Sequence, residues 1–270
     1  MQGPLSKLQS RLGASVEYTL PLGEFGLALN PLLGERLTLR FSGRIFCDAC
    51  GRETRKSFAQ GHCYPCMMKL ARCDMCVLKP ETCHYDAGTC REPEWGETHC
   101  MTTHVVYLAN TSGLKVGITR ANQIPTRWID QGATQALPVM ETRTRHVAGL
   151  VEVALARSMA DKTNWRAMLK GPGVELDLAA ESAAALSGIE ADLDAIRAAH
   201  GEDVLAPASS AACSIDYPVM EYPGAIRSHN FDKAPVVEGR LHGIKGQYLL
   251  FDTGVINMRK FTGYEIAAET

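Results

Sequence analysis

The chain has 270 residues, a formal net charge of −2 and 46% hydrophobic residues. That size allows one large domain or two to three small ones of ordinary globular composition. The near-neutral balance excludes a chain that is basic throughout, which would by itself advertise a nucleic-acid partner.

In chain order, residues 1–46 read as a β segment. VEYTL and ERLTLRFSGRI are rich in β-branched and aromatic residues, with GEFG and NPLLG as turn signals between them. The start, MQGPLSKLQSRLG, has no apolar core of signal-peptide length, and no later run approaches a membrane span. A cytoplasmic protein is therefore expected, in a compartment where thiols stay reduced and Cys-x-x-Cys pairs favour zinc over disulfides.

Residues 47–103 are a Cys-rich lobe holding nine of the ten cysteines. Cys47, Cys50, Cys63 and Cys66 form two Cys-x-x-Cys knuckles that can close on one tetrahedral zinc. Cys73 and Cys76 are expected to begin a second zinc site, completed from Cys83, Cys90 and Cys100, with His62, His84, His99 and His104 as spare ligands. Nine thiols do not divide evenly into two four-ligand sites, so at least one stays outside, and Cys100 or Cys83 is the expected one. With all ligands supplied by protein, such zinc serves folding. Arg52, Arg55, Lys56, Lys69 and Arg72 lie on or near the knuckles and can meet phosphates, offset by Asp48, Glu53 and Asp74.

Residues 104–171 alternate the apolar strands VVYLA and KVGIT with the helical stretches IPTRWIDQGA and AGLVEVALARSMA. This segment carries nine cations against four acids, a net +5 that the whole-chain total conceals. Residues 172–212 are Ala-rich, and 174–204 hold eight acids against Arg197. One or two exposed helices acting as a spacer are expected there, with an acidic face open to a protein partner. Residues 213–270 return to strands, YLLFDTGVINMRKF reading as a meander with Gly turns. Interleaved His242, Lys245, Tyr248, Arg259, Lys260 and Tyr264 suit a single-strand or RNA platform, but the preferred reading is the charged outside of an ordinary small barrel. Cys213 reads as a buried small hydrophobe. The two β-rich ends are expected to pair, with the other segments inserted between them.

HVVYLANTSGLKVGITR, followed by Arg127 and Glu152, resembles the GIY-YIG endonuclease superfamily over about residues 104–170. Val105-Val106-Tyr107 matches the first name motif. Lys115-Val116-Gly117 matches the second, with lysine in the tyrosine slot as in a KIG-type variant. The layout of cysteine lobe, HVVYL and KVGITR also resembles an uncharacterised bacterial and archaeal family. The superfamily resemblance implies two hairpin strands, a helix bearing Arg127 and a helix bearing a metal-binding Glu152. It further implies a metal-dependent endonuclease that hydrolyses phosphodiester bonds in DNA or RNA with Mg or Mn. Tyr107, Lys115, Arg127 and Glu152 are then the catalytic set, and Gly117, Arg120 and Asn164 the substrate contacts. The fold class expected is α+β: a small mixed α/β module with a zinc-binding lobe and β-rich ends.

The chemistry of these residues is compatible with that role. Arg127 offers a permanently charged fork to phosphate oxygens. Tyr107 can orient or deprotonate water if a cation such as Lys115 lowers its pKa. Gly117 lets backbone approach a phosphate closely. A lone Glu152 suffices for a magnesium ion shared with substrate phosphates. Each also has a plain structural role open to it: core tyrosine, strand bend, an Arg127–Asp130 pair, a solvent-facing Glu152. Two other readings stand beside the nuclease: a nucleic-acid-binding protein that keeps the fold without turnover, and a zinc-scaffolded protein-interaction factor.

Overall fold

The two β-rich ends share one antiparallel sheet. A computed structural model of the chain describes residues 1–159, 163–208 and 211–270. Arg36–Phe46 pairs with Val236–Lys245 on one side and Tyr264–Glu269 on the other. The sheet continues through Tyr248–Phe251 to Gly254–Asn257 at one edge and to Gln2–Pro4 at the opposite edge. Alternation in Arg36–Phe46 turns Leu37 and Leu39 inward and leaves Arg36 and Arg40 in water. A three-stranded meander of Gln9–Arg11, Glu17–Leu22 and Phe25–Ala28 packs its leucines into the same core.

The second sheet is built around His104–Asn110, flanked by Leu114–Arg120 and Gln135–Thr142. Leu205–Pro207 and Cys213–Ser214 extend it along Gln135–Thr142. Every residue of His104–Asn110 is buried, because both faces of the strand are covered. Tyr107 and Ala109 join the core of the β-rich ends, beside Trp128 and Ile129. Val106 and Leu108 join a second core with the helices Arg145–Leu155 and Glu190–His200. The molecule is thus a mixed α/β protein, rich in strand and built on several sheets.

Three expectations change. QALPVMET, not read as a strand, forms Gln135–Thr142; the register slips between Val106 and Tyr107, where Pro138 enters the pairing. A strand proline needs such an irregularity, and that obscures the pattern in sequence. The acidic stretch is not an exposed spacer. It forms Leu178–Ser187 and Glu190–His200, and Ile189, Leu193 and Ile196 bury a helical stripe against Val151 and Leu155. Cys213 is only partly buried, on a short outer strand. The helix read from AGLVEVALARSMA is Arg145–Leu155; Ala160, with Asp161 and Lys162 of the basic segment, lies outside the described residues. Among the described residues, no helix is long and apolar enough to cross a membrane.

One buried cation marks the junction of the two sheets. Lys245 is fully buried; its Nζ donates to the Gly171 carbonyl at 2.9 Å and lies over the rings of Tyr217 and Tyr222. Tyr217 in turn donates to the Ala133 carbonyl at 2.8 Å, fixing the turn after the helix Thr126–Asp130. Burial lowers the Lys245 ammonium from 10.5 to about 8. Between those pH values the unfolded chain holds a proton that the folded chain has released, so stability rises with pH. Below pH 8 the cost of the buried charge is constant. Lys245→Met is expected to add about 2 kcal/mol at pH 7, allowing for the lost cation–π contacts. The gain should fade as the pH approaches 10.5. Urea unfolding of both proteins at pH 7 and pH 10 measures it, and an equal gain at both would reject the assignment.

Candidate metal centre and adjoining cleft

Phe46 leads out of the terminal sheet directly into Cys47. The Cys47 carbonyl accepts from Gly51 N–H at 2.8 Å and its own N–H donates to Arg52 O, turning the chain back as a knuckle. Gly51 closes it at φ 67°, a left-handed conformation that a side chain would oppose. Cys63 precedes the helix Tyr64–Lys69, which brings Cys66 round to the same point. The four sulfurs of Cys47, Cys50, Cys63 and Cys66 lie within 4.8 Å of one another, with Cys50 and Cys63 at 3.9 Å. Zinc bound at about 2.3 Å in a tetrahedron sets its sulfurs about 3.8 Å apart. The quartet therefore fits a metal such as zinc. Burial pushes the Cys47 thiol up, but N–H groups of Cys63, Cys50 and Ala49 outweigh it and bring the thiol down to about 6. Cys66, crowded by Cys63, is pushed up to about 12. One thiolate is favoured and a second resisted, a conflict that a divalent cation removes.

Cys73 and Cys76 do not form a third knuckle. Asp74 stands between them in extended conformation, ending the turn Ala71–Cys73 and capping the turn Met75–Val77. Cys73 therefore faces a cleft, while Cys76 joins Cys83, Cys90 and Cys100 around a small cavity. Cys73 is thereby set apart from Cys76, with which the spacing pairs it.

That cleft, of about 690 Å³, runs between the cysteine lobe, the terminal sheet and the helix Thr126–Asp130. Lys7, His62, Arg72, Arg127 and Arg259 line it, against Asp48 and Asp74. Trp128 and Ile129 are buried and anchor the helix, which leaves Arg127 partly exposed at the cleft wall. Arg127 does not pair with Asp130: that carboxylate takes Lys7 at 2.7 Å and Gln247 at 2.8 Å. Gln60, in a loop where Ala59 and Gln60 both adopt positive φ, accepts from Arg259 Nε at 2.8 Å. Burial lowers the Arg259 guanidinium, and the nearby charge of Arg127 lowers it further. His62 is buried with Nε2 unpartnered.

Behind Arg127 lies Tyr107, with no exposed surface. Tyr107 and Gly117 are cross-strand partners, and the tyrosine ring lies over the glycine. Gln131 Nε2 donates to the Tyr107 hydroxyl at 2.6 Å. Burial pushes the phenol up; the charge of Arg127 and hydrogen bonds from Gln131 and Arg127 recover only part of the shift. Tyr107 is thus a protonated phenol at neutral pH, and the cation acting on it is Arg127 rather than Lys115. The space over Gly117 holds the Tyr107 ring and is closed to a phosphate. Glu152, half-buried on Arg145–Leu155, lies within electrostatic reach of Tyr107 and of Arg145.

The remaining expected site residues lie elsewhere. Lys115 is buried on the same sheet, its Nζ 3.5 Å from Thr163 Oγ1. Asn164 caps the short helix Trp165–Met168, accepting from Ala167 N–H at 3.2 Å. Arg120 sits near His104 and Cys100. The structure adds Gln131, Arg145 and Arg259. Arg145 begins the helix that carries Glu152; its N–H donates to the Cys100 carbonyl at 2.8 Å and its Nη2 to the Val77 carbonyl at 2.7 Å. One turn on, Gly149 meets Pro80 so closely that a Cβ there would come within 2.5 Å. No local signal in the sequence links Gln131 to Tyr107 or Arg259 to Arg127.

The family described as "Protein of unknown function (DUF2797)" matches residues 34–266. The chain belongs to this family. No curated protein and no solved structure matches it. Residues 34–266 take in the metal quartet, the cleft arginines, Tyr107 and Glu152, but not Lys7.

A Cβ on Gly117 would fall 2.6 Å from the Tyr107 hydroxyl oxygen and 2.7 Å from its ring carbon. Gly117→Ala is therefore expected to cost about 2 kcal/mol through overpacking. The double variant with Tyr107→Leu should recover part of that loss. Denaturant midpoints of the two singles and the double test the contact, and strict additivity would contradict it.

Proposed function

We propose that this protein is a metal-dependent endonuclease of the GIY-YIG kind, hydrolysing phosphodiester bonds in DNA or RNA, with structural zinc in its cysteine lobe. The observation that carries this reading is the grouping of Tyr107, Gly117, Arg127 and Glu152, ordered as the resemblance requires, beside a cleft lined by Arg72 and Arg259. Glu152 would hold Mg²⁺ or Mn²⁺, ions for which one protein carboxylate can suffice. Such an ion, when bound, supplies Lewis-acid polarisation and a more acidic water.

The protein's own groups have separable tasks. Arg127 binds the non-bridging oxygens and neutralises charge that grows in the transition state. Tyr107, held by Gln131, fixes the position of Arg127 and does not act as a base. Arg72 and Arg259 hold the phosphate backbone along the cleft. A second reading, nucleic-acid binding without turnover, is favoured by one observation: the Tyr107 phenol is sealed from solvent.

Cleavage of plasmid, single-stranded DNA and structured RNA with Mg²⁺ or Mn²⁺ separates the two. Arg127→Ala and Glu152→Ala are each expected to lower the rate about 100-fold or more. Equal background for wild type and Glu152→Ala would end the enzyme reading. Gel shifts without divalent metal test the cleft itself. With about three phosphate contacts, log affinity should fall against log salt with a slope of roughly −2 to −3, and Arg259→Ala should flatten it by about 1. Affinity independent of salt would remove both nucleic-acid readings.

A further inference from the structure

We infer that Cys76, Cys83, Cys90 and Cys100 form a second metal site, a tetrathiolate for a soft divalent cation of the zinc class. This extends the structural-zinc part of the reading above and does not depend on the nuclease part. The four cysteines line a single cavity of about 20 Å³, room for roughly one water-sized body. Cys76 lies within electrostatic reach of Cys83, Cys90 and Cys100, and Cys100 of Cys83 and Cys90. The wall is closely packed: a Cβ on Gly96 would stand 3.0 Å from the Tyr85 ring and 3.5 Å from Cys90 Sγ.

A competing donor set, Asp74, Cys76 and His84, is grouped more tightly, its ligand atoms all within 4.8 Å of one another, a spacing that the four cysteine sulfurs do not share. Two of its members are already engaged. Asp74 pairs with Arg91 at 2.5 Å and accepts from Cys76 N–H at 3.3 Å, while His84 Nδ1 meets Thr89 Oγ1 at 2.8 Å. Thiolates, moreover, are the softer ligands and the better match to zinc.

The decisive feature is the counter-charge. A divalent cation bound by four thiolates carries a net charge of about −2. Arg145 lies in reach of Cys100 and Cys76, and its buried Nε has no hydrogen-bond partner. A guanidinium with a spare donor therefore already stands beside the site, as outer-shell partners of metal ligands do.

The test is metal content of the full chain by mass spectrometry, with ¹¹³Cd NMR of the cadmium-exchanged protein. The expected result is two metals per chain and two resonances, both in the tetrathiolate region. Cys76→Ser and Cys90→Ser should each leave one metal, while Cys73→Ser, Asp74→Asn and His84→Ala keep two. One metal and one resonance in the wild type would overturn the proposal. So would a second resonance in the mixed N/O/S region that disappears in Asp74→Asn or His84→Ala. The wild-type resonances decide the matter even if a cysteine variant fails to fold, and nuclease activity is not read at any stage.

Discussion

The strand His104–Asn110 has no face left for water, and the rest of the molecule is arranged to keep it so. Tyr107 and Ala109 meet the core of the sheet made from the two chain ends. Val106 and Leu108 meet the helices Arg145–Leu155 and Glu190–His200. A buried strand must place a large phenol somewhere, and here the missing side chain at Gly117 supplies the room. The same burial decides the chemistry open to Tyr107. A phenol sealed from solvent stays protonated despite the neighbouring Arg127, so it can position a cation but not take a proton.

The cleft depends on a different balance. Arg72, Arg127 and Arg259 come from distant parts of the chain and converge where the cysteine lobe, the short helix and the terminal sheet meet. Burial weakens the charged state of Arg259, and the neighbouring Arg127 weakens it further. Asp130 offsets this only through space, because its carboxylate is held by Lys7 and Gln247. Among the described residues, no carboxylate forms an ion pair with Arg127 or Arg259. Such an arrangement is costly in the absence of an anion and is eased by one.

Legibility in the sequence followed the range of the interactions. The knuckles at Cys47–Cys50 and Cys63–Cys66 are local, and spacing alone brings their sulfurs within reach of one ion. The hairpin His104–Asn110 and Leu114–Arg120 is local too, and its alternation is plain. Gln135–Thr142 was hidden because Pro138 breaks the strand pattern, a defect that only the partner's shifted register repairs. Cys73 has the spacing of a knuckle with Cys76, yet the extended Asp74 sends the two to different cavities, which spacing cannot reveal. The helix Glu190–His200 looked solvated because its acids dominate its composition; three apolar residues decide its burial. The meeting of Arg259 with Arg127 spans half the chain and left no local trace.

The helix bearing Glu152 has little freedom to adjust alone. It starts on the Cys100 carbonyl, and at Gly149 its backbone rests directly on Pro80 with no side chain as cushion. Close-packed surfaces of this kind transmit displacement rather than absorb it. The cysteine lobe, which forms one wall of the cleft, is thus joined to this helix by backbone contact. A change in the packing of Pro80 is therefore felt directly by the helix that carries Glu152.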